Sequence, residues 1–287
     1  MALITGGASG IGRALAEEFA RRGGEVVLAD RQTALAGEVA EIIRRRGGSA
    51  DVTELDVRDA AAFTRVARET ERARGRIDYL FNNAGIGVGG EVARYSQADW
   101  DDVLDVNLRG VTHGIQAVYP LMVARGSGHI VNTASMAGLV PTPGETSYVA
   151  SKFAVVGLTR SLGLESVRYG VRASVLCPGA IRTPILTGGR YGRINLGAVR
   201  DEAILKMWER LRPMDPAEFA RKATDAILRG ESVIVLPAWW KAFWYIDRIS
   251  PAASAALWGA FFTRMRAELE AAGASFTPRA PVDPTAN

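Results

Sequence analysis

The stretch Leu3-Ile4-Thr5-Gly6-Gly7-Ala8-Ser9-Gly10-Ile11-Gly12 decides the fold. An apolar start gives way to closely spaced glycines, and an amphipathic run from Ile11 to Arg22 follows. The expected order is a short strand, a tight turn and a helix. Glycine in such a turn lets the backbone bend sharply and approach a pyrophosphate. The phosphates then rest on the free N–H groups at the helix start. An ordinary βα turn also tolerates glycine, so the motif needs context. Asp30 supplies it, 18 residues after Gly12 at the end of the apolar run Val26 to Ala29. An acid there accepts hydrogen bonds from adenosine ribose hydroxyls. It also repels a 2′-phosphate, at roughly 1–4 kcal/mol for ~4 Å depending on the dielectric. NAD is therefore expected over NADP. Arg31 is either a solvated loop charge or a cation that tolerates the phosphate.

Further apolar runs lie at Val52 to Leu55, Ile77 to Phe81, Ile130 to Thr133, Arg172 to Leu176 and Val233 to Leu236. Helical patterns such as Thr33 to Arg46 and Ala60 to Arg74 separate them. This alternation predicts right-handed βαβ units and an α/β fold with a doubly wound, Rossmann-type parallel sheet. The expected organisation is a catalytic domain over 1–236 with a lid near 184–212. An aromatic-rich helical extension over 237–272 and a disordered tail over 273–287 complete it. The first strand reads as truncated, so its natural start is expected upstream or its pairing frayed.

With 287 residues, 48% hydrophobic and 23% charged, the chain can bury an ordinary core without staples. Disordered, collagen-like and disulfide-scaffold classes are excluded. The lone Cys177 closes no bridge within the chain, which points to a reducing, cytoplasmic setting. The opening MALITGGASG lacks the features of a signal peptide. The charge-free run 126–144 holds Gly, Ser, Asn and Pro and reads as strand and loop rather than a membrane span. The formal net charge of +4 carries no nucleic-acid signal. Arg21-Arg22 and Arg44-Arg45-Arg46 each precede a Gly pair, where last-turn cations offset a helix dipole.

The second motif is Tyr148-Val149-Ala150-Ser151-Lys152. Tyr and Lys four apart share one helix face. A phenol titrates near pH ~10 and must fall by about three units, roughly 4 kcal/mol, to act as a base at neutral pH. One cation at ~4 Å in an effective dielectric of ~20 supplies about that much. Taken alone, this spacing is common on helix surfaces.

Together the motifs identify a family. Thr5 to Gly12, Asn82-Asn83-Ala84-Gly85, Ser135 thirteen residues before Tyr148, Lys152, and Pro178-Gly179 with Thr183 occur in order. They resemble the NAD-preferring branch of the short-chain dehydrogenase/reductase family, from residue 1 to about 236. The resemblance implies one Rossmann-type domain, a nicotinamide cofactor and a homodimer or homotetramer. By matching, Tyr148 is the catalytic acid/base and Ser135 holds the substrate oxygen. Lys152 lowers the Tyr148 pKa and binds the nicotinamide ribose. Asn107 helps hold a water-mediated proton path to Lys152. Gly6, Ser9, Gly10, Ile11 and Gly12 cradle the phosphates, with Asp30 and Arg31 at the ribose. Asp56 and Val57 lie at the adenine, and Asn83, Ala84 and Gly85 line the floor. Pro178 and Gly179 are cofactor-binding, and Ile181 and Thr183 after them lie at the nicotinamide carboxamide. The function implied is NAD-dependent interconversion of a secondary alcohol and a ketone. An NADPH-dependent carbonyl or oxoacyl reductase and a non-catalytic dinucleotide sensor are the alternatives.

Other residues read as structural. His113 and His129 lack partners at metal-ligand spacing, so no metal is expected. Cys177 reads as a small buried hydrophobe. Ser96 and Asp99 read as a helix cap. Glu145, three before Tyr148, either faces the substrate mouth or is solvated. The stretch Pro184 to Arg212 has Gly188-Gly189, Gly192 and Gly197 as hinges. Its apolar set of Ile194, Leu196, Ile204, Leu205, Met207 and Trp208 fits a lid. Together with the apolar loop Met136 to Pro143 it favours a small-molecule substrate with substantial apolar or cyclic surface. Four of the six Trp fall in 237–272, where Trp258, Phe261, Phe262, Met265 and Leu269 recur at helical spacing. Three readings apply: packing on the domain or a sister subunit, peripheral membrane contact, or a cap over the substrate mouth.

Overall fold

The alternating pattern appears as alternating elements in the computed structural model, which describes residues 1–197 and 199–277. The strands are β1 (Ala2–Thr5), β2 (Glu25–Asp30), β3 (Ser49–Glu54), β4 (Tyr79–Asn82), β5 (Gly87–Gly89), β6 (Gly128–Thr133), β7 (Val171–Pro178), β8 (Gly192–Ile194) and β9 (Val233–Leu236). The helices are α1 (Gly10–Arg21), α2 (Thr33–Arg45), α3 (Ala60–Arg74), α4 (Gln97–Leu104), α5 (Gly110–Arg125), α6 (Thr146–Ser166), α7 (Asp201–Glu209), α8 (Pro216–Leu228), α9 (Lys241–Ile249) and α10 (Pro251–Ala271). Seven strands pair in parallel in the order β3-β2-β1-β4-β6-β7-β9. Both faces of such a sheet are covered, which is why its strands are near-continuous apolar runs.

The short first strand is not frayed. Ala2 pairs with Val26 on one side and Tyr79 on the other, and both ladders continue along the strand. The chain winds outward from β1 to β3 and then crosses to β4. The strand order therefore reverses between β1 and β4, where a ligand crevice opens at the carboxyl ends of the strands.

One face buries Leu15, Phe19, Phe219 and Ile234 beneath α1, α2 and α8. The other buries Phe63, Leu80, Val118 and Met122 beneath α3 and α5. A third cluster joins α6 and β7 to the C-terminal segment through Val155, Val175, Trp240 and Trp258. The arginines before the Gly turns are held locally. Arg22 binds Glu18 and Asp225, and Arg46 binds Glu17.

Two features exceed the sequence pattern. A π-helical bulge over Asp105–Arg109 joins α4 to α5 and turns Asn107 inward. The three-residue strands β5 and β8 pair in parallel as a separate ribbon, Gly87 with Gly192 and Gly89 with Ile194. Their brevity and glycine content gave no strand signal. Among the described residues no helix is long and apolar enough to cross a membrane. Of the tail expected to be disordered, 278–287 lies outside the described residues.

Candidate active site

The floor of the crevice is the turn between β1 and α1. Gly6 and Gly10 have φ of 66° and 53°, in the region that favours glycine. A Cβ on Gly6 would lie 2.9 Å from the Ala84 α-carbon, and one on Gly12 would overlap the Gly6 carbonyl oxygen. Gly12 therefore packs behind the turn while Gly6, Ser9, Gly10 and Ile11 line the cavity. Ser9 makes no side-chain cap at the start of α1, which leaves the first N–H groups free for an anion. Thr183 closes the turn from above, 3.3 Å from where a Gly10 Cβ would stand.

Asp30 ends β2 in the same cavity. Its two carboxylate oxygens accept from the Ala8 amide at 3.0 Å and the Gln32 amide at 2.9 Å. The acid thereby fixes the turn while lining the cavity. Arg31 reaches the Arg190 carbonyl at 3.5 Å, so it is tied to the lid. Asp56 and Val57 follow β3, and Arg58, unnoticed in the sequence, forks onto Asp56. That guanidinium holds the Asp56 carboxyl below its ordinary pKa. Asn83, Ala84 and Gly85 follow β4. The Thr5 hydroxyl accepts from the Asn83 amide at 2.9 Å and the Ala84 amide at 3.1 Å. Among the described residues no cluster of His, Cys, Asp or Glu could hold a metal.

Ser135, Tyr148 and Lys152 line one wall of this cavity, and Pro178, Gly179 and Ile181 line it beyond β7. The Ser135 hydroxyl lies near enough to Tyr148 to act against the rise of its phenol and stands 3.5 Å from the Pro178 carbonyl. Lys152 donates to the Thr133 carbonyl at 2.9 Å, with Nζ 5.3 Å from the Tyr148 ring centre. Asn107 is locked to both backbone groups of Ile86, at 2.8 and 2.9 Å, and donates to Ser151 at 3.2 Å. It does not line the cavity directly. A methyl on Gly85 would sit 3.4 Å from Asn107 Oδ1 and 3.5 Å from Lys152 Nζ. The two polar ends therefore converge on one small space.

The electrostatics differ from the sequence expectation. Lys152 does not bring Tyr148 down in this enclosure. Burial pushes the phenol above its ordinary pKa, and the Glu145 carboxylate adds to the rise. Burial also lowers Lys152 to about 8. Desolvation outweighs the pair attraction because both groups sit in one closed cleft. His113 Nδ1 lies 2.9 Å from the Val57 carbonyl. Buried His129 contacts Ser174 and is lowered to about 4 by burial and by Arg172. Burial raises the Cys177 thiol, so it is unreactive.

The roof has two parts. The lid pairs with the rim through β5 and β8, and Arg193 binds Asp99 at 2.6 Å and Asp102 at 2.8 Å. Asp99 also accepts from the Ser96 amide at 2.7 Å, so the helix cap doubles as a lid anchor. Ile194, Leu196, Ile204, Met207 and Trp208 line the cavity, whereas Leu205 is exposed. The second part is the C-terminal extension. It packs on the domain and caps the mouth at once: Trp240, Trp258, Phe261, Phe262, Met265 and Leu269 line the cavity that holds Tyr148. Trp239, Tyr245, Ile246, Ile249 and Leu257 remain outside. Sequence periodicity showed the apolar stripe of α10 but not its target.

The family model for short chain dehydrogenases matches residues 1–191. The oxidoreductase UcpA of Salmonella typhimurium is 40% identical over 185 residues, covering 64% of this chain and 70% of that one. The 2,5-dichloro-2,5-cyclohexadiene-1,4-diol dehydrogenase LinX of Sphingobium indicum is also 40% identical over 185 residues, covering 64% and 74%. A short-chain dehydrogenase/reductase from Burkholderia phymatum, solved in complex with NAD, superposes with a TM-score of 0.76 at 31% identity. That match covers 98% of this chain and 97% of the other, so it takes in the C-terminal helices. Solved neighbours include complexes with NAD and with NADP or NADPH. A glycine cradle, an acid after β2 and a Ser-Tyr-Lys wall, all at the carboxyl ends of one parallel sheet, thus meet a family match over most of the chain. The chain belongs to the short-chain dehydrogenase/reductase family and is an oxidoreductase that uses a dinucleotide cofactor.

Proposed function

We propose that the protein interconverts a secondary alcohol and its ketone with NAD, on a substrate of substantial apolar or cyclic surface. The observation that carries this reading is the Tyr148 phenol beside the Ser135 hydroxyl and Lys152, beneath an aromatic roof. The relative that acts on a cyclohexadiene diol supports a ring substrate.

When bound, the nicotinamide supplies the acceptor for the hydride that leaves the carbinol carbon, and returns it in reduction. Ser135 holds the substrate oxygen with its hydroxyl. Tyr148 takes the hydroxyl proton, so alcohol and NAD⁺ give ketone, NADH and one proton. Lys152 alone does not lower the phenol, so the phenolate form would depend on the positive charge of a bound oxidised nicotinamide acting together with the Lys152 ammonium beside it. Asn107 fixes Ile86 and keeps Lys152 oriented across Gly85. Lid and cap exclude water from the reacting centre. Asp30 favours NAD by repelling a 2′-phosphate, while Arg31 and Arg190 beside it are the features that would favour NADP. Self-association through α6 is part of the same reading, supported by exposed Phe153 and Leu164 on that helix.

The test follows nicotinamide absorbance over secondary alcohols graded in apolar size. Turnover is expected to rise with size and to prefer NAD⁺. Tyr148→Phe should lose about 10²–10⁴-fold in rate while still binding cofactor. Asp30→Ala should shift preference toward NADP⁺ by about tenfold or more. Undiminished turnover in Tyr148→Phe overturns the chemistry; wild-type activity confined to NADP⁺ overturns the cofactor choice.

A further inference from the structure

The chamber around Tyr148 is walled mainly by uncharged groups. The loop at Thr142 and Pro143, Leu186 and Trp208 of the lid, and Trp258 and Phe262 of α10 all contribute. Glu145 is the acid among them. It lines the same cavity and lies close enough to Tyr148 to raise the phenol pKa. Phe262 lines the same cavity, 3.2 Å from where a Cβ on the neighbouring Gly144 would stand.

A short polar side chain at the start of a helix accepts from the first amides, a role for which Glu is one methylene too long. Glu145 occupies that position at the start of α6, and its side chain makes no cap bond. Burial alone acts on its titration and raises it to about 7, with neither a cation nor a hydrogen bond acting to offset the rise. Glu145 is half-buried at the cavity wall, so its carboxylate has lost part of its hydration and gains from a donor that pairs with it. The protein provides no such partner among its described residues, and the open side of the carboxylate is the substrate chamber.

We propose that Glu145 is a specificity-determining residue that receives a second hydrogen-bond donor of the substrate, a hydroxyl or an ammonium group close to the carbinol that Tyr148 deprotonates. The favoured substrates are then apolar-bodied diols or amino alcohols rather than simple alcohols. Glu145 stands just before α6 and Tyr148 in its first turn, and both line one cavity. The second donor therefore lies within a few bonds of the reacting carbon. The aromatic roof receives the apolar body of the molecule and leaves the two polar groups on the α6 side.

This inference rests on the reading of Tyr148 as the acid/base, so its test includes a measurement that needs no turnover. Binding of 1-indanol, indane-1,2-diol and 1-amino-2-indanol would be followed by tryptophan fluorescence, since Trp208, Trp240 and Trp258 line the chamber. The same compounds would be assayed for kcat/KM with NAD⁺. Wild type should favour the donor-bearing compounds over the matched indanols by about tenfold or more, the worth of a charge-assisted hydrogen bond. Glu145→Ala should erase that ratio. Glu145→Gln keeps the shape and an acceptor oxygen, so it should retain part of the diol preference and lose that for the amino alcohol. A diol ratio surviving in the Gln variant assigns the donor as hydroxyl, and the amino alcohol dominating in wild type assigns it as ammonium. A flat ratio in wild type, or an equal ratio in Glu145→Ala, overturns the proposal. Turnover that persists in Tyr148→Phe overturns the catalytic reading instead, and leaves the binding ratios to be judged alone.

Discussion

The indole of Trp240 lies against the α-carbon of Gly179, so closely that a methyl group there would overlap the ring nitrogen. Gly179 follows the strand that carries the Pro178 carbonyl beside Ser135, and its amide donates to the Leu236 carbonyl at 2.8 Å. Trp240 in turn stacks on Trp258, with ring centres 6.4 Å apart and planes 12° apart. One contact thus links the loop at the expected carboxamide position to the aromatic cap.

Gly179→Ala should therefore act through the cap. The added methyl displaces Trp240, so kcat/KM should fall by about tenfold or more and the melting temperature should drop, as overpacking typically costs ~1–3 kcal/mol. Trp240→Phe in the same chain makes room for the methyl. The double variant should be less impaired than the two losses added together, with a coupling of about 0.5–3 kcal/mol in urea titrations. Simple additivity would mean that the two residues do not press on one another.

Arg193 should control how tightly the lid is held. It joins β8 to the α4 region through Asp99, whose side chain is buried, and through Asp102. Arg193→Ala removes both ion pairs and leaves Asp99 with its Ser96 and Asn195 contacts. Limited proteolysis should then cut faster within 187–197, and KM for the alcohol should rise several-fold more than kcat falls. Unchanged cleavage would show that the β5–β8 ladder holds the lid without the latch.

Much of this was legible in the chain because the signals are local. The turn at Gly6 to Gly12, Asp30 at the end of β2 and the strand positions follow from patterns a few residues long, and the structure places the strand ends within three residues of them. Arg21-Arg22 and Arg44 to Arg46 likewise stand in or just after the last turns of their helices. What stayed hidden depends on distant partners. Three residues around Gly87 and three around Gly192 carry no strand signal until they pair. The stripe on α10 announces an apolar face but not that Trp258 and Phe262 turn it onto the cavity that holds Tyr148. The spacing of Tyr148 and Lys152 is local, whereas the burial that raises one and lowers the other is tertiary.

Glu145 is raised from 4.5 to about 7 by burial. A group whose folded pKa is raised contributes its full stability below the unfolded value and loses it as pH rises through the folded one. Glu145 should thus withdraw stability from wild type between pH 4.5 and 7, a contribution that Glu145→Gln, which cannot ionise, lacks. The difference between their melting curves should be small at pH 4.5 and grow to pH 7.5, toward an upper limit of about 3 kcal/mol set by the shift. Lys152, lowered from 10.5 to about 8, acts in the opposite sense above pH 8, so the comparison belongs below that value. Tyr148 and Tyr95 also feel the Glu145 charge, and both are raised by burial first and by that charge in addition. Removing it should move the alkaline rise of alcohol oxidation in Glu145→Gln to lower pH. A rise that stays in place would mean that burial alone sets the Tyr148 phenol and that the neighbouring acid takes no part in it.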